Sequence, residues 1–201
     1  MKLGILRLSL VAVMVLAVAA ALFWQARQPG GEEVRAGYLR FDLPEATSHF
    51  DLLFSEQGSI SYNFIGESVN LYIAHYHRDQ LVLHELVAGV SRGGAAQVNG
   101  QAFWGITTQG GERRELRAKV TIDGAASSSY FDFSQAGFEV GSMAGGAFVG
   151  NGLTSVRIQP GERYILHLWQ TGRTFWADGD HFLPERLREN EKTAILYVVF
   201  G

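Results

Sequence analysis

The chain has 201 residues, of which 47% are hydrophobic and 18% are charged, and this composition is typical of a folded protein rather than a disordered one. Its net charge of -3 provides no basic surface for a polyanion, so we expect no nucleic-acid partner. The chain has no cysteine, which excludes thiol catalysis, thiolate metal sites and a lipidated-cysteine anchor.

The N-terminal residues 1–24 predict a membrane anchor. Lys2 and Arg7 lead into an apolar run over residues 8–24, which is interrupted by a single serine. The run matches the shortest spanning helices, of about 17 residues, and exceeds a usual signal-peptide core of about 7–15 residues. The positive charges place the N-terminus in the cytoplasm and the rest of the chain outside, as a single-pass protein of the cell membrane. The alternative is signal cleavage at the small residues 17–21, which would release a secreted or periplasmic domain.

Residues 25–37 are polar with glycine and proline, and they predict a juxtamembrane linker. Residues 38–201 predict one extracytoplasmic domain, because short strand-like segments alternate with turn residues and no helical repeat appears. A Gly/Ala-rich loop is expected over 91–100, and a short helix over 184–190 begins at a proline. The predicted strands cover 38–43, 50–54, 59–64, 69–76, 81–87, 103–108, 116–123, 130–133, 164–170 and 193–200.

Two of these segments carry particular information about the sheet. Leu116, Val120 and Ile122 alternate with charged or polar residues, so we expect this strand to have one face in water. The last segment, 193–200, is almost continuously apolar and should be an inner strand covered on both faces. The pattern as a whole predicts an all-β fold built as an antiparallel β-sandwich.

A tight corner precedes the long strand at 164–170. Its core is Ile158-x-Pro160-Gly161-x-x-Tyr164. This spacing resembles the tyrosine corner of immunoglobulin-like and fibronectin type III sandwiches, in which the tyrosine hydroxyl binds nearby backbone. The resemblance implies an Ig-like, Greek-key sandwich, with the jelly roll as the rival strand order. It covers only this stretch and implies no functional residues.

Three histidines on the predicted hairpin form a candidate metal site. His75 and His77 share one strand face, since side chains alternate, and His84 joins them if the connection holds an even number of residues. Three imidazoles suit zinc or copper. An odd connection would place His84 on the far face, and strand histidines without a metal are the simpler interpretation. The His-x-His pattern is similar to that of cupins, but the following Glu and the second His motif of that family are missing.

A second candidate site is aromatic. Trp104, Trp169 and Trp176 could share a flat surface on which sugar rings stack, although such residues more commonly fill a core. The acidic stretch Asp178-Gly-Asp180 with Glu185 lacks the spacing of a calcium loop, so we interpret it as an ordinary turn.

No nucleophile elbow, phosphate loop or acid/base pair is recognisable, so an enzyme is uncertain and not the preferred interpretation. We predict a membrane-tethered, non-catalytic binding or accessory module for a protein or glycan partner at the cell envelope. The alternatives are a metal-binding protein or metalloenzyme that uses the histidines, and a carbohydrate-binding module that uses the tryptophans.

Overall fold

The computed structural model describes residues 33–42, 54, 56–109, 113–133, 144–147, 155–171 and 181–201. Within them the chain is almost entirely antiparallel β-structure, as predicted, and residues Val34–Gly201 form one compact unit. The elements are β1 (Tyr38–Asp42), β2 (Glu56–His77), β3 (Gln80–Gln109), β4 (Arg113–Ile122), β5 (Ala125–Asp132), β6 (Ala144–Ala147), β7 (Ser155–Arg157), β8 (Arg163–Thr171), α1 (Pro184–Arg188) and β9 (Lys192–Phe200).

The described part of the chain contains no helix with the length and apolar character needed to cross a membrane. The predicted anchor at residues 1–24 and the strand predicted at 50–54 lie outside the described residues, apart from Phe54.

The strands join in the order β5-β4-β3-β2-β9-β8-β6, and β1 pairs with both β2 and β7. The apolar strand β9 lies between β2 and β8, which confirms the prediction of an inner strand. Its residues from Thr193 to Val198 are all buried, because the sheet is covered on both faces at this point.

The two longest strands, β2 and β3, each take part in two portions of the sheet. Residues 56–66 of β2 pair with 96–106 of β3 and with β1, whereas residues 68–77 pair with 80–91 of β3 and with β9. The register shifts between Gly66 and Ser68, where the Ser68 N–H donates to the carbonyl oxygen of Gly201 at 2.9 Å. A Cβ on Gly66 would overlap the Phe64 ring and this same carbonyl, so a larger residue does not fit.

The loop predicted at 91–100 is wrong for most of its length, because these residues belong to β3 and only residues 92–95, with Gly94 at a φ of 84°, have no pairing partner in β2. Small residues in this segment suggested a turn, but they have another role in the sheet. Gly100 packs under the Thr121 carbonyl and the Tyr62 ring, where a Cβ has no room. Small residues serve here to bring two strands close together.

One large apolar core holds the two portions of the sheet together. It takes residues from β1, β2, β3, β4, β8 and β9, including Leu39, Tyr62, Val120, Leu166 and Val198. A smaller cluster covers the opposite face of β2, β8 and β9, where α1 inserts Leu187 beside Leu168 and Ile195. β4 buries Leu116, Val120 and Ile122 and exposes Arg117 and Lys119, as predicted.

The tyrosine corner is formed. The Gln159 N–H donates to the Tyr164 hydroxyl at 2.6 Å, and that hydroxyl donates to the carbonyl oxygen of Arg157 at 3.1 Å. Gly161 takes a φ of 80°, which favours glycine, and its N–H donates to the Phe200 carbonyl at 2.8 Å. The corner therefore ties the start of β8 to the end of β9.

Candidate binding surface on the free edge of strand β3

The first part of β3 is an edge of the sheet. Residues 80–91 pair with β2 on one side, and β4 joins β3 only from Gly100 onward. No described strand pairs with the other side of 80–91, which we call the β3 edge. Unpaired N–H and C=O groups on such an edge are a template for another strand.

The β3 edge exposes three aliphatic side chains. Leu81 is 54% exposed, Val82 60% and Leu86 55%, and this short stretch has no lysine or proline that would discourage pairing. The edge at β5 has a different character, because three consecutive serines, Ser127 to Ser129, fill its centre and Tyr130 is its one large exposed apolar residue. The exposed aliphatic side chains therefore mark the β3 edge as a contact surface.

Two irregularities shape the β3 edge. His75 lies opposite Leu83 while Tyr76 lies opposite Leu81, so Val82 is an extra residue. Val87 is a second extra residue, between the pairs formed by Leu86 and Ala88. Residues 83–86 form a regular segment between these bulges, and each bulge shifts the alternation of faces by one residue.

Aromatic side chains line the outer face beside this regular segment. The His84 Nε2 and the Tyr197 hydroxyl share a hydrogen bond of 2.7 Å, and the two rings are parallel to within 1°. Tyr72 stacks against both rings, with centroids 5.2 Å from His84 and 5.6 Å from Tyr197. Phe182 meets Tyr197 edge-on, and the Arg163 guanidinium lies over the Phe182 ring at 4.7 Å. We call these five residues the outer aromatic cluster.

Burial raises the pKa of the Tyr197 hydroxyl, and the nearby Arg163 charge opposes this rise. The hydroxyl is therefore protonated at neutral pH and can donate to His84. This bond holds the imidazole across β2, which fixes the direction of an otherwise exposed side chain on the β3 edge.

The structure does not bring the three predicted metal-binding histidines together. The connection Arg78-Asp79 has the even length that the prediction required, but the extra residue Val82 turns His84 to the face opposite His75. His75 is buried on the core face between Leu83 and Ala194, and His77 is exposed. No group of three His, Cys, Asp or Glu side chains that could hold a metal occurs among the described residues. The histidine set therefore carries no metal-site proposal.

The predicted tryptophan surface is not formed by the two indoles that the structure describes. Trp104 and Trp169 are both buried in the main core, and Trp176 lies outside the described residues. Trp169 and its neighbour Leu168 are both buried, because β8 packs against the core on one face and against α1 and its neighbours on the other. The acidic turn at 178–180 also lies outside the described residues.

Three side chains inside the domain form a polar contact that the sequence did not predict. The indole Nε1 of Trp169 donates to the Glu56 carboxylate at 2.8 Å, and the Nε2 of the buried His167 lies 3.0 Å from the same oxygen. The His167 and Trp169 rings stack with centroids 4.3 Å apart. Glu56 comes from the first residue of β2, so its carboxylate joins this strand to β8 through side chains. No motif in the sequence pairs residue 56 with residues 167–169.

Comparisons of the chain with protein-family models, with curated proteins and with solved structures found no match.

Proposed function

We propose that the protein is a membrane-tethered, extracytoplasmic β-domain that acts as a non-catalytic binding or accessory module and engages a protein partner through the β3 edge. The observation that carries this proposal is the exposure of Leu81, Val82 and Leu86 on a strand with a free side. Backbone pairing would supply affinity and the aliphatic side chains would supply contact area, which is the usual mode of strand addition.

The chemistry of the β3 edge favours a protein over a glycan. A glycan site presents exposed aromatic faces and hydrogen-bonding side chains, whereas three of the exposed side chains here are aliphatic. Tyr197 is buried in the outer aromatic cluster, with Tyr72 stacked on it and Phe182 packed edge-on. A glycan partner would be indicated by sugar binding that is lost in Tyr72→Ala and retained in Val82→Lys.

For the fold, we propose an immunoglobulin-like sandwich, a proposal that the Tyr164 corner supports. The tether is proposed from the apolar run at residues 8–24. Intact-mass measurement on the membrane fraction tests the tether directly. An uncleaved chain that resists carbonate extraction is expected, whereas a shortened chain in the soluble fraction would contradict it.

Photo-cross-linking tests the binding surface. The full-length chain carries benzoylphenylalanine at Val82 in its native membrane, and a matched control carries it at Tyr130 on the β5 edge, where the native side chain is 69% exposed. We expect a discrete protein adduct from position 82 and none of comparable yield from position 130. Equal labelling from the two positions, or no adduct from position 82, would contradict a protein-binding β3 edge.

A further inference from the structure

We infer that the partner at the β3 edge is a second copy of this chain, which pairs antiparallel about a two-fold axis at His84. This inference rests on the proposed function, since it names the occupant of the same surface. It follows from the register of the regular segment 83–86, from the charges along it and from the anchor predicted in the residues that precede the described domain.

The register is restricted by the alternation of faces. In an antiparallel pair, residues that lie opposite each other point to the same face of the sheet. His84 and Leu86 lie opposite Ala74 and Tyr72 on the outer face, whereas Leu83 lies opposite His75 on the core face. A two-fold axis within the regular segment must therefore pass through a residue. An axis between two residues would set opposite faces against each other.

Four residues of the regular segment could lie on this axis, and one satisfies both packing and charge. An axis at Glu85 would place two carboxylates directly opposite each other, which is destabilising. With the axis at Leu83 or Leu86, most residues of the segment would lie opposite residues of the partner that come after a bulge. Opposed side chains would then point to different faces of the sheet. An axis at His84 sets Leu83 against the partner's Glu85 and brings no like charges together.

The register centred on His84 also brings two of the three exposed aliphatic residues together. Val82, the extra residue of the first bulge, comes opposite the partner's Leu86, and the symmetry repeats this contact on the other side of the axis. The backbones of the two His84 residues meet at the centre, while each imidazole leans back across β2 to the Tyr197 hydroxyl of its own chain. The sheet would then continue from one copy into the other.

The regular segment is short, so the pairing belongs to the class of weak or transient interfaces. Residues 1–32 precede the described domain and contain the predicted anchor. An anchor of this kind confines the copies to one membrane, which raises their effective concentration. The experiment therefore uses the full-length chain in membranes.

The absence of cysteine makes disulfide mapping straightforward, since every thiol is an introduced one. Directly opposed residues in an antiparallel pair have Cα atoms about 4.5–5.5 Å apart, which lies within the range of about 4.4–6.8 Å for disulfides. His84→Cys should form a symmetric cross-linked dimer on mild oxidation. Leu83→Cys should not, because its opposite residue is the partner's Glu85. Tyr130→Cys measures the rate of random collision, and circular dichroism shows whether each variant is folded.

We expect His84→Cys to cross-link at least about tenfold faster than Tyr130→Cys, because pairing raises the effective thiol concentration. Mixing chains that carry Leu83→Cys with chains that carry Glu85→Cys should give heterodimers, while neither variant alone does so at a comparable rate. Equal rates for positions 84 and 130, or fastest cross-linking at 85 alone, would overturn the inference. If position 84 forms no dimer while photo-cross-linking at position 82 captures a different protein, the second copy is refuted and the proposed function stands.

Discussion

His75 should make the domain lose stability as the pH falls through the range in which ordinary histidines titrate. The side chain is 3% exposed, and β3 and β9 flank its strand on both sides. Burial, and after it the positive charges of Lys192 and His77, lower the pKa of the imidazole from 6.5 to about 4. The folded domain therefore keeps His75 neutral at a pH where the unfolded chain has already bound a proton.

The sign and size of the effect follow from this difference. Well above pH 6.5 the imidazole is neutral in both states and contributes no pH dependence. As the pH falls from 6.5 towards 4, the unfolded state binds the proton first, so stability is lost in this window and the loss levels off below it. A pKa difference of this size corresponds to a loss of about 2 kcal/mol at pH 5 and about 3 kcal/mol well below pH 4.

Urea denaturation at pH 7.5 and pH 5.0 measures this loss as the change in the free energy of unfolding. His75→Gln removes the titration, so its change between the two pH values should be smaller than that of the parent chain by about 2 kcal/mol. His77→Gln is the matched control, an exposed histidine in the same strand, and it should alter the change only slightly. If His75→Gln loses as much stability as the parent chain, His75 does not stay neutral in the folded domain.

Substitutions at three positions test other contacts, each by its effect on the free energy of unfolding. Tyr164→Phe should cost about 1–2 kcal/mol, because buried backbone groups of the corner lose their hydroxyl partner, and an unchanged midpoint would mean that these bonds contribute nothing. Glu56→Ala should cost about 1–3 kcal/mol by leaving the buried Trp169 N–H unsatisfied. Glu56→Gln should recover most of this loss, since its amide oxygen can accept the same bond, and equal losses in the two variants would exclude that explanation. Gly100→Ala should cost at least about 1–3 kcal/mol, because its Cβ would overlap the Thr121 carbonyl, and normal stability would show that the two strands can separate there.

Much of the strand structure could be predicted because it depends on local alternation. In the predicted strand 59–64, Ile60, Tyr62 and Phe64 alternate with polar residues, which is typical of a half-buried strand, and all three are buried. The burial of the polar residues between them does not follow from this alternation. Ser61 and Asn63 are also buried, since β1 and the chain before it supply partners for their side chains in Asp42 and in the Val34 carbonyl. These partners are distant in sequence, so no local pattern predicts the burial.

The candidate sites could not be predicted, because they depend on register and on packing across the sheet. The histidine prediction assumed a regular hairpin, and a single extra residue at Val82 reversed the face of His84. This stretch contains no residue type that would indicate a bulge. The β3 edge could not be predicted either, because a strand with one neighbouring strand and a strand with two show the same alternation of apolar and polar residues. The pairing of the described strands shows that β4 ends opposite Gly100 and therefore leaves residues 80–91 without a neighbour on that side.

The length of β2 and β3 has a consequence for how the domain unfolds. Each strand contributes hydrogen bonds to both portions of the sheet, and one core joins those portions. Neither portion can detach without breaking a strand that the other needs, so amide exchange along the two strands should report one opening free energy from end to end. The pairing of residue 56 with residue 106 also closes a long loop, so we expect the domain to fold slowly. The apolar edge at 80–91 is then open to other chains throughout folding, and we expect newly made chains to aggregate through it.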